Sequence, residues 1–335
     1  MKKVAVFVPN RDQFGNITTQ IPMLYAIKKQ HPAAHITLYS KSDNSQLLVN
    51  AGVADALINY QRWSFFTVLR SLNEANFDTV FNVYSGSERI HCAVLASRIK
   101  RKYAFSNSRL LDQSKLYNRH ILVDKGTQYI ALNNLEVANA VLGTDFDTTI
   151  IEELGHGDSD GKTHLTLVPG GGAGEFKVWP IEKYCEAAKQ IFDGAGNIRK
   201  ISVVLGPQEA QKAVQAEQLL AGYPYEIVLS PSVIELVDLA RVSALTLSND
   251  CGPCHIFQMM KVPMIMIWGW YLEPDLCKSP YHALTSWYQN SDDSWCVFPT
   301  ESEKKIATVS VERVTSLSLM QLTRPQPMVR EESVL

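Results

Sequence analysis

The chain has 335 residues, of which 46% are apolar and 20% are charged, and its formal net charge is -2. A chain of this length exceeds what one hydrophobic core usually covers, so we expect two domains. The near-neutral charge gives no reason to expect a nucleic acid partner. The charge is unevenly distributed, because eight basic residues stand against one acidic residue between Arg89 and Arg119.

The amino-terminal segment lacks the features of a signal peptide. Only the short apolar run Val4 to Val8 follows the two lysines after Met1, and no small-residue cleavage site is present. No window approaches the roughly 18 apolar residues of a membrane span. The six cysteines are few for this length, which is typical of reduced thiols. We therefore expect a cytoplasmic protein.

Strand-like and helix-like segments alternate along the first half. The continuous apolar run Val4 to Val8 is typical of a strand that is buried on both faces. Apolar residues then recur at helical spacing from Ile17 to Ile27. Further strands are predicted over His35–Tyr39 and Thr79–Val83, and further helices over Ile90–Ile99 and Tyr129–Leu142.

The second half repeats this alternation after a polar, glycine-rich segment over Gly155–Gly161, which we interpret as a linker. Alternation of this kind predicts parallel sheets with helices on both faces, and such sheets bind ligands at the carboxyl ends of their strands. The predicted strands are His164–Val168, Ile201–Leu205, Glu226–Leu229, Ala244–Leu247 and Met264–Trp268, and the predicted helices are Ile181–Phe192, Glu209–Ala221, Val233–Ala240 and Pro253–Met260.

Two loops that follow predicted strands carry candidate binding residues. In the loop Pro169–Pro180, glycines let backbone amides approach an anion and Lys177 adds a positive charge, although a flexible connection explains the glycines equally well. In the loop Ser248–Phe257, Asp250 can accept hydrogen bonds from sugar hydroxyls and His255 can donate to the same ligand. The alternative is that Asp250 caps the helix and His255 packs in the core.

Four segments together resemble the signature blocks of the heptosyltransferases of lipopolysaccharide synthesis, which form glycosyltransferase family 9. These segments are Gly15–Pro22, Lys177–Pro180, Leu205–Glu209 and Asp250–His255, in the family's order. The resemblance implies the GT-B fold, an α/β fold in which two Rossmann-like domains face each other across a cleft. It also implies inverting transfer without a metal or other cofactor, commonly from ADP-heptose to a lipopolysaccharide or lipooligosaccharide core.

The resemblance implies that an amino-terminal domain over residues 1–154 binds the acceptor. A linker over 155–163 joins it to the nucleotide-sugar domain over 164–310, and a helix and tail over 311–335 follow. In the implied roles, Lys177 meets the diphosphate and stabilises the leaving group, Glu209 meets the ribose hydroxyls and Asp250 holds the donor sugar. The complete predicted donor set is Gly171, Gly172, Lys177, Glu209, Asp250, the amides of Cys251 and Gly252, and His255.

One position departs from the family pattern. The family usually carries Gly-Asp in the first loop, where the aspartate is the expected general base, but this chain has Asn16. An amide does not take a proton at neutral pH, and a general base typically contributes about 10²–10⁴-fold in rate. Asp12 in the same loop is the nearest substitute, unless it only stabilises the loop. A weak or inactive nucleotide-sugar-binding relative is one alternative, and a GT-B sugar-nucleotide epimerase is another.

Three further patterns suggest other chemistries. Cys251-Gly-Pro-Cys254 spells a thioredoxin-type redox motif, although the family block already accounts for its Gly-Pro pair. A zinc site around these cysteines lacks a second pair of closely spaced ligands. The acidic pairs in Asp145–Asp147 and Asp158–Asp160 imitate a metal-binding DxD motif but lie near the linker, so we interpret them as solvated acids.

A basic cluster lies at the end of the predicted helix Ile90–Ile99. It is most simply interpreted as a solvated helix end. In the context of a glycolipid acceptor it could also face anionic lipid at the inner surface of the membrane. The cluster consists of Arg98, Lys100, Arg101 and Lys102.

Overall fold

The structure is a computed structural model of the chain. It describes residues 1–9, 12–83, 87–106, 117–122, 128–157, 161–171, 174–207, 209–273, 276–279, 281–288 and 294–324. Within those ranges, no helix is long and apolar enough to cross a lipid bilayer.

The first half builds a sheet of six parallel strands in the order β3-β2-β1-β4-β5-β6. The central strand β1 is apolar and buried along most of its length, as the continuous apolar run predicts. The strands are β1 (Lys3–Phe7), β2 (His35–Ser40), β3 (Ala56–Asn59), β4 (Thr79–Asn82), β5 (Arg101–Ser106) and β6 (Arg119–Leu122).

The second half builds another parallel sheet of six strands, in the order β14-β11-β10-β7-β8-β9. A small antiparallel pair, β12 with β13, lies outside it. The strands are β7 (His164–Val168), β8 (Lys200–Leu205), β9 (Tyr225–Leu229), β10 (Ser243–Asn249), β11 (Met264–Ile267), β12 (Tyr271–Glu273), β13 (Leu276–Lys278) and β14 (Ser294–Val297).

The strand orders confirm the predicted fold of two Rossmann-like sheets. In each sheet the chain places three strands side by side and then crosses back, so that its fourth strand pairs with the free side of the first one. The strand order therefore reverses between β1 and β4 in the first sheet and between β7 and β10 in the second. Such a switch point opens a crevice at the carboxyl ends of the strands. The loops that follow β1, β7 and β10 are therefore placed to form a binding site. The first sheet lies within 1–154 and the second within 164–310, while the exact domain boundaries stay a prediction.

Helices pack on both faces of each sheet. The helical spacing from Ile17 to Ile27 is confirmed, but it belongs to two helices, because the chain breaks at Thr19 and Gln20 and Pro22 lies in the first turn of a new helix. Proline has no N–H to continue the hydrogen-bond ladder of a preceding helix. The helices are α1 (Phe14–Thr18), α2 (Ile21–Gln30), α3 (Gln46–Asn50), α4 (Phe65–Glu74), α5 (Glu88–Ala96), α6 (Ile130–Leu142), α7 (Ile181–Gly194), α8 (Ala210–Leu219), α9 (Val233–Val242), α10 (Cys254–Met259), α11 (Tyr281–Trp287) and α12 (Val311–Thr323).

The two halves share a continuous apolar core. Helices α2 and α6 from the first half pack in one cluster with α9 and α10 from the second. The 3-10 segment Thr148–Leu154 joins them, and the Thr148 hydroxyl donates to the Met259 carbonyl at 2.8 Å. Asp147, predicted to be a solvated acid, forms an ion pair with Lys261 of the second half at 2.7 Å. The halves are thus held together by apolar packing and by polar contacts.

The predicted linker is attached to the second half at its beginning. The amides of His156 and Gly157 donate to one carboxylate oxygen of Asp238, on α9, at 2.7 and 2.8 Å. A Cβ on Gly155 would lie 2.6 Å from the same oxygen, so the glycine leaves room for this contact. Residues 158–160, including the acids Asp158 and Asp160, lie outside the described residues.

Asp78 fixes the amino-terminal edge of the first sheet. Its carboxylate accepts hydrogen bonds from the amides of Lys2 and Lys3 and from the Thr79 hydroxyl, and it pairs with Arg101 at 2.6 Å. Burial acts to raise the pKa of Asp78, but these hydrogen bonds and the Arg101 charge outweigh it and lower the pKa to about 2. The carboxylate therefore joins the starts of β1, β4 and β5.

We expect Asp78→Asn to lower the melting temperature at pH 7 by a few degrees, because the charge that holds these donors is lost. The folded pKa lies below the ordinary value of 3.8, so the stabilisation is present above that pH and is lost as the pH falls toward 2. Melting curves of both proteins between pH 7 and pH 2 should therefore converge at the acid end. A constant difference across that range would contradict the assignment.

Candidate functional site

The carboxyl edges of the two sheets face each other, and two glycines allow their loops to touch. A Cβ on Gly15, in the loop region after β1, would lie 2.7 Å from Cδ2 of His255. A Cβ on Gly252, after β10, would lie 2.6 Å from Cβ of Phe14. Either contact is shorter than a real Cβ makes, so only glycine permits this approach. The structure thus brings together the Gly15–Pro22 and Asp250–His255 segments.

An ion pair between Lys177 and Asp250 lies at the centre of the second sheet's edge. Lys177 ends the short 3-10 turn Glu175–Lys177 after β7, and Asp250 follows β10 directly. Both side chains are mostly shielded from solvent. Asp250 therefore holds the lysine charge in the crevice before any ligand arrives, which agrees with the predicted positions of both residues at one site.

Asn249 positions this loop, although no sequence motif pointed to it. Its fully buried side chain donates to the Gly170 carbonyl at 3.2 Å and accepts from the Trp179 amide at 3.3 Å. These two contacts flank the segment that carries Lys177. An asparagine at the end of an apolar strand was the only signal in the sequence.

Glu209 lies at the adjacent strand end, beside the glycine loop. Its carboxylate accepts from the Gly206 amide at 2.8 Å and pairs with Lys212 at 2.8 Å, and a Cβ on Gly170 would lie 3.3 Å from it. Lys212 also donates to the Pro169 carbonyl at 3.3 Å. The structure therefore adds Lys212 as a second cation beside the loop after β7, and its spacing of three residues from Glu209 is the signal that could have revealed it. Gly171 is part of this loop, while Gly172 lies outside the described residues.

His255 is buried at the contact between the two halves, with 2% of its surface exposed. Burial lowers its pKa to about 4; the Asp250 charge opposes this shift and the Lys177 charge adds to it. The imidazole is therefore neutral at pH 7. Its Nδ1 lies 2.9 Å from the Tyr129 hydroxyl of the first half and 3.3 Å from Nε2 of Gln258. Neither of these two partners was predicted.

The structure changes the prediction for the Cys251–Cys254 segment. The helix α10 begins at Cys254, so the Cys251 and Gly252 amides belong to the turn before it rather than to its first turn. Burial raises the pKa of the fully buried Cys254 thiol well above its ordinary value, and hydrogen bonding with Cys251 adds to the shift. In the described part of the chain, no cluster of three potential metal ligands is present.

A sequence comparison identifies the family. The profile of glycosyltransferase family 9 (heptosyltransferase) matches residues 65–281, which is more than half of the chain. The chain belongs to glycosyltransferase family 9. This family 9 protein is therefore a glycosyltransferase. Comparison with curated protein sequences gives no match.

Solved structures share the fold of this family 9 glycosyltransferase at low sequence identity. E. coli heptosyltransferase WaaC with ADP has a TM-score of 0.66 and 16% identity, over 95% of this chain and 99% of that one. E. coli ADP-heptose LPS heptosyltransferase II has a TM-score of 0.59 and 15% identity, over 96% and 99%. A putative UDP-N-acetylglucosamine 2-epimerase from Listeria monocytogenes has a TM-score of 0.54 and 15% identity, over 97% and 89%. Identities of this size show a common fold alone.

The first loop of this glycosyltransferase carries the residue that departs from the family pattern. Asn16 lies in α1, and its side-chain amide donates to Oε1 of Gln13 at 3.3 Å. Asp12 is exposed at the start of the same loop, and its backbone carbonyl accepts from the Asn44 side chain at 3.0 Å. Gly15 brings this segment beside His255, while the role of Asp12 as a base stays a prediction.

The basic cluster of this glycosyltransferase lies at the other edge of the first sheet. The predicted helix ends early, at Ala96, because the chain turns into β5 at Arg101. Arg101 pairs with Asp78. The ammonium group of Lys102 donates to the Ile99 carbonyl. Arg98 and Lys100 are exposed. The structure does not bring these residues together with the carboxyl-edge loops. Their contact with an acceptor or a membrane stays a prediction.

We expect Gly15→Ala and Gly252→Ala each to lower the melting temperature by a few degrees, because overpacking a tight contact costs about 1–3 kcal/mol. Gly196→Ala is the matched control, since no heavy atom lies within 4 Å of a Cβ built there. Thermal unfolding followed by circular dichroism measures all three. If both site variants have the same melting temperature as the control, the two loops are not in contact in solution.

Proposed function

We propose that this protein transfers heptose from ADP-heptose to the core of a lipopolysaccharide or lipooligosaccharide, with inversion and without a metal. The observation that carries this proposal is the Lys177–Asp250 pair at the switch point of the second sheet, opposite the first-loop segment at Gly15. A donor bound between them would present its sugar to the first half, where the acceptor enters.

The charges of the second half suit a nucleoside diphosphate as the leaving group. When the acceptor oxygen bonds to C1 of the sugar, the bond from C1 to the diphosphate breaks and the diphosphate gains negative charge. In this proposal Lys177 and Lys212, which pair with Asp250 and Glu209, stabilise that charge without reorganising. Structures of E. coli heptosyltransferase WaaC, with ADP and with ADP-2-deoxy-2-fluoro heptose, support an ADP-linked donor.

The acceptor hydroxyl must also lose a proton. In the proposed reaction Asp12 takes it, because its carboxylate lies in the same loop as Asn16 and is exposed. Contact with the inner face of the membrane would follow from a glycolipid acceptor, and a cytoplasmic location is part of the same proposal.

The asparagine at position 16 supports a second candidate function, a binding protein that holds the nucleotide sugar without transferring it. Such a protein would keep the Lys177–Asp250 pair and the buried His255 while lacking the base. An epimerase, the third alternative, would act on the donor in the absence of an acceptor.

The donor assignment is tested by a thermal-shift screen with ADP, UDP, GDP, CMP and ADP-heptose. A ligand at 100 times its dissociation constant adds about 2.7 kcal/mol to the stability of the native state. We expect selective stabilisation by ADP and ADP-heptose. Lys177→Ala should weaken ADP binding at least about tenfold, because a charged contact to the diphosphate is lost, whereas the exposed Lys100→Ala serves as the control. Stabilisation by another nucleotide alone would overturn the donor assignment.

The choice between enzyme and binding protein is tested by Asn16→Asp in a transfer assay with ADP-heptose. The acceptor is supplied as glycolipid in vesicles and, separately, as its water-soluble core oligosaccharide. If wild type transfers and Asp12→Asn lowers the rate about 10²-fold or more, the proposed reaction and base are supported. If only Asn16→Asp transfers, the protein is a binding relative on a competent scaffold. An epimerised donor formed without acceptor identifies an epimerase, and a clear preference for vesicles supports membrane contact.

A further inference from the structure

The buried surroundings of His255 determine which of its ring nitrogens carries the proton. Two groups converge on Nδ1, the Tyr129 hydroxyl at 2.9 Å and the Gln258 side-chain amide at 3.3 Å. The Tyr129 and His255 rings are nearly parallel, with centroids 5.8 Å apart. Because this imidazole is neutral, it carries one proton and has two possible tautomers.

The orientation of the Gln258 amide decides between them. Its nitrogen lies 3.4 Å from the Trp287 carbonyl, which only accepts hydrogen bonds, and 3.4 Å from the Cys254 sulfur. The NH2 group therefore points toward this side of the site, and it also faces Nδ1 of His255 as a donor. A protonated Nδ1 would place two N–H groups against each other. This contact favours Nδ1 as an acceptor, with the Tyr129 hydroxyl as its donor.

We propose that Tyr129 is a positioning residue, which holds His255 in the tautomer with the proton on Nε2 and directs that N–H toward the ligand between the two halves. The ligand atom is an anionic oxygen of the donor diphosphate, so this inference rests on the proposed function. Tyr129 precedes α6 in the first half, whereas His255 lies on α10 in the second. The donor site is therefore complete only when the two halves are in contact.

The position of Nε2 supports this role. A Cβ on residue 15 would lie 2.9 Å from Nε2, so any residue larger than glycine at this position would block a ligand atom from this nitrogen. Lys177 and Asp250 are close enough to act on the charge of the same imidazole. A neutral N–H donor beside a lysine can bind the diphosphate without adding a second full charge to the buried site.

The tautomer is tested in the free protein by long-range 1H–15N correlation spectra of 15N-histidine-labelled protein, with His255→Gln identifying the signal. We expect Nδ1 without a proton and Nε2 with one, in wild type at pH 7. Tyr129→Phe removes only the hydroxyl and should shift the Nδ1 resonance or populate both tautomers. A protonated Nδ1 in wild type overturns the proposal, whether or not ADP binds.

The effect on the donor is tested by a double-mutant cycle with ADP affinity as the readout. His255→Gln keeps a donor near the position of Nε2 that does not depend on Tyr129. With His255 present, Tyr129→Phe should weaken ADP binding about tenfold. In the His255→Gln background the same change should weaken ADP binding less than about twofold. Tyr25→Phe, which loses a hydrogen bond to Glu153 far from the site, is the matched control and should leave ADP affinity unchanged.

The outcomes separate this inference from the proposed function. Equal losses in both backgrounds mean that Tyr129 acts only through packing, and this overturns the positioning role while the donor assignment stands. The positioning role is also overturned if wild type binds ADP tightly and Tyr129→Phe binds it equally well. If wild type shows the Nε2–H tautomer but binds no nucleotide, the proposed function fails, and with it the assignment of the ligand, although the arrangement around His255 is supported.

Discussion

The close approach of two loops at Gly15 and Gly252 is the constraint on which the site depends. Each sheet opens its crevice at a switch point, and these crevices form one site only if the loops that follow β1 and β10 can touch. A side chain at either glycine would collide with His255 or Phe14. The apolar core shared by α2, α6, α9 and α10 keeps the two halves in this arrangement.

Within the second half, buried polar contacts hold the charged residues in place. Asn249 ties down both sides of the loop that bears Lys177, and Asp250 then pairs with that lysine. Such groups pay their desolvation cost during folding rather than during ligand binding. The first half contributes differently, because Tyr129 reaches across to His255 while the first loop offers an asparagine where the family has an acid.

Much of this arrangement was predictable because its signals are local. Continuous apolar runs identified the central strands, and parallel sheets bring their carboxyl ends to one edge, which placed Lys177 near Asp250. The break between the two helices over Ile17–Ile27 was not predicted, because periodicity does not register the missing N–H of Pro22. The basic residue Arg101 was assigned to a helix end because its partner, Asp78, is 23 residues away in the sequence.

The class of fold, the family and the loops that carry the candidate binding residues were predictable from the sequence, since each of these depends on periodicity or on short ordered motifs. Only the tertiary structure showed that Asn249 and Lys212 contact the loop after β7 and that Tyr129 contacts His255. Tyr129 lies 126 residues from His255, and no local pattern links the two. The protonation of a buried histidine depends on burial and on hydrogen-bond partners, which exist only after the chain has folded.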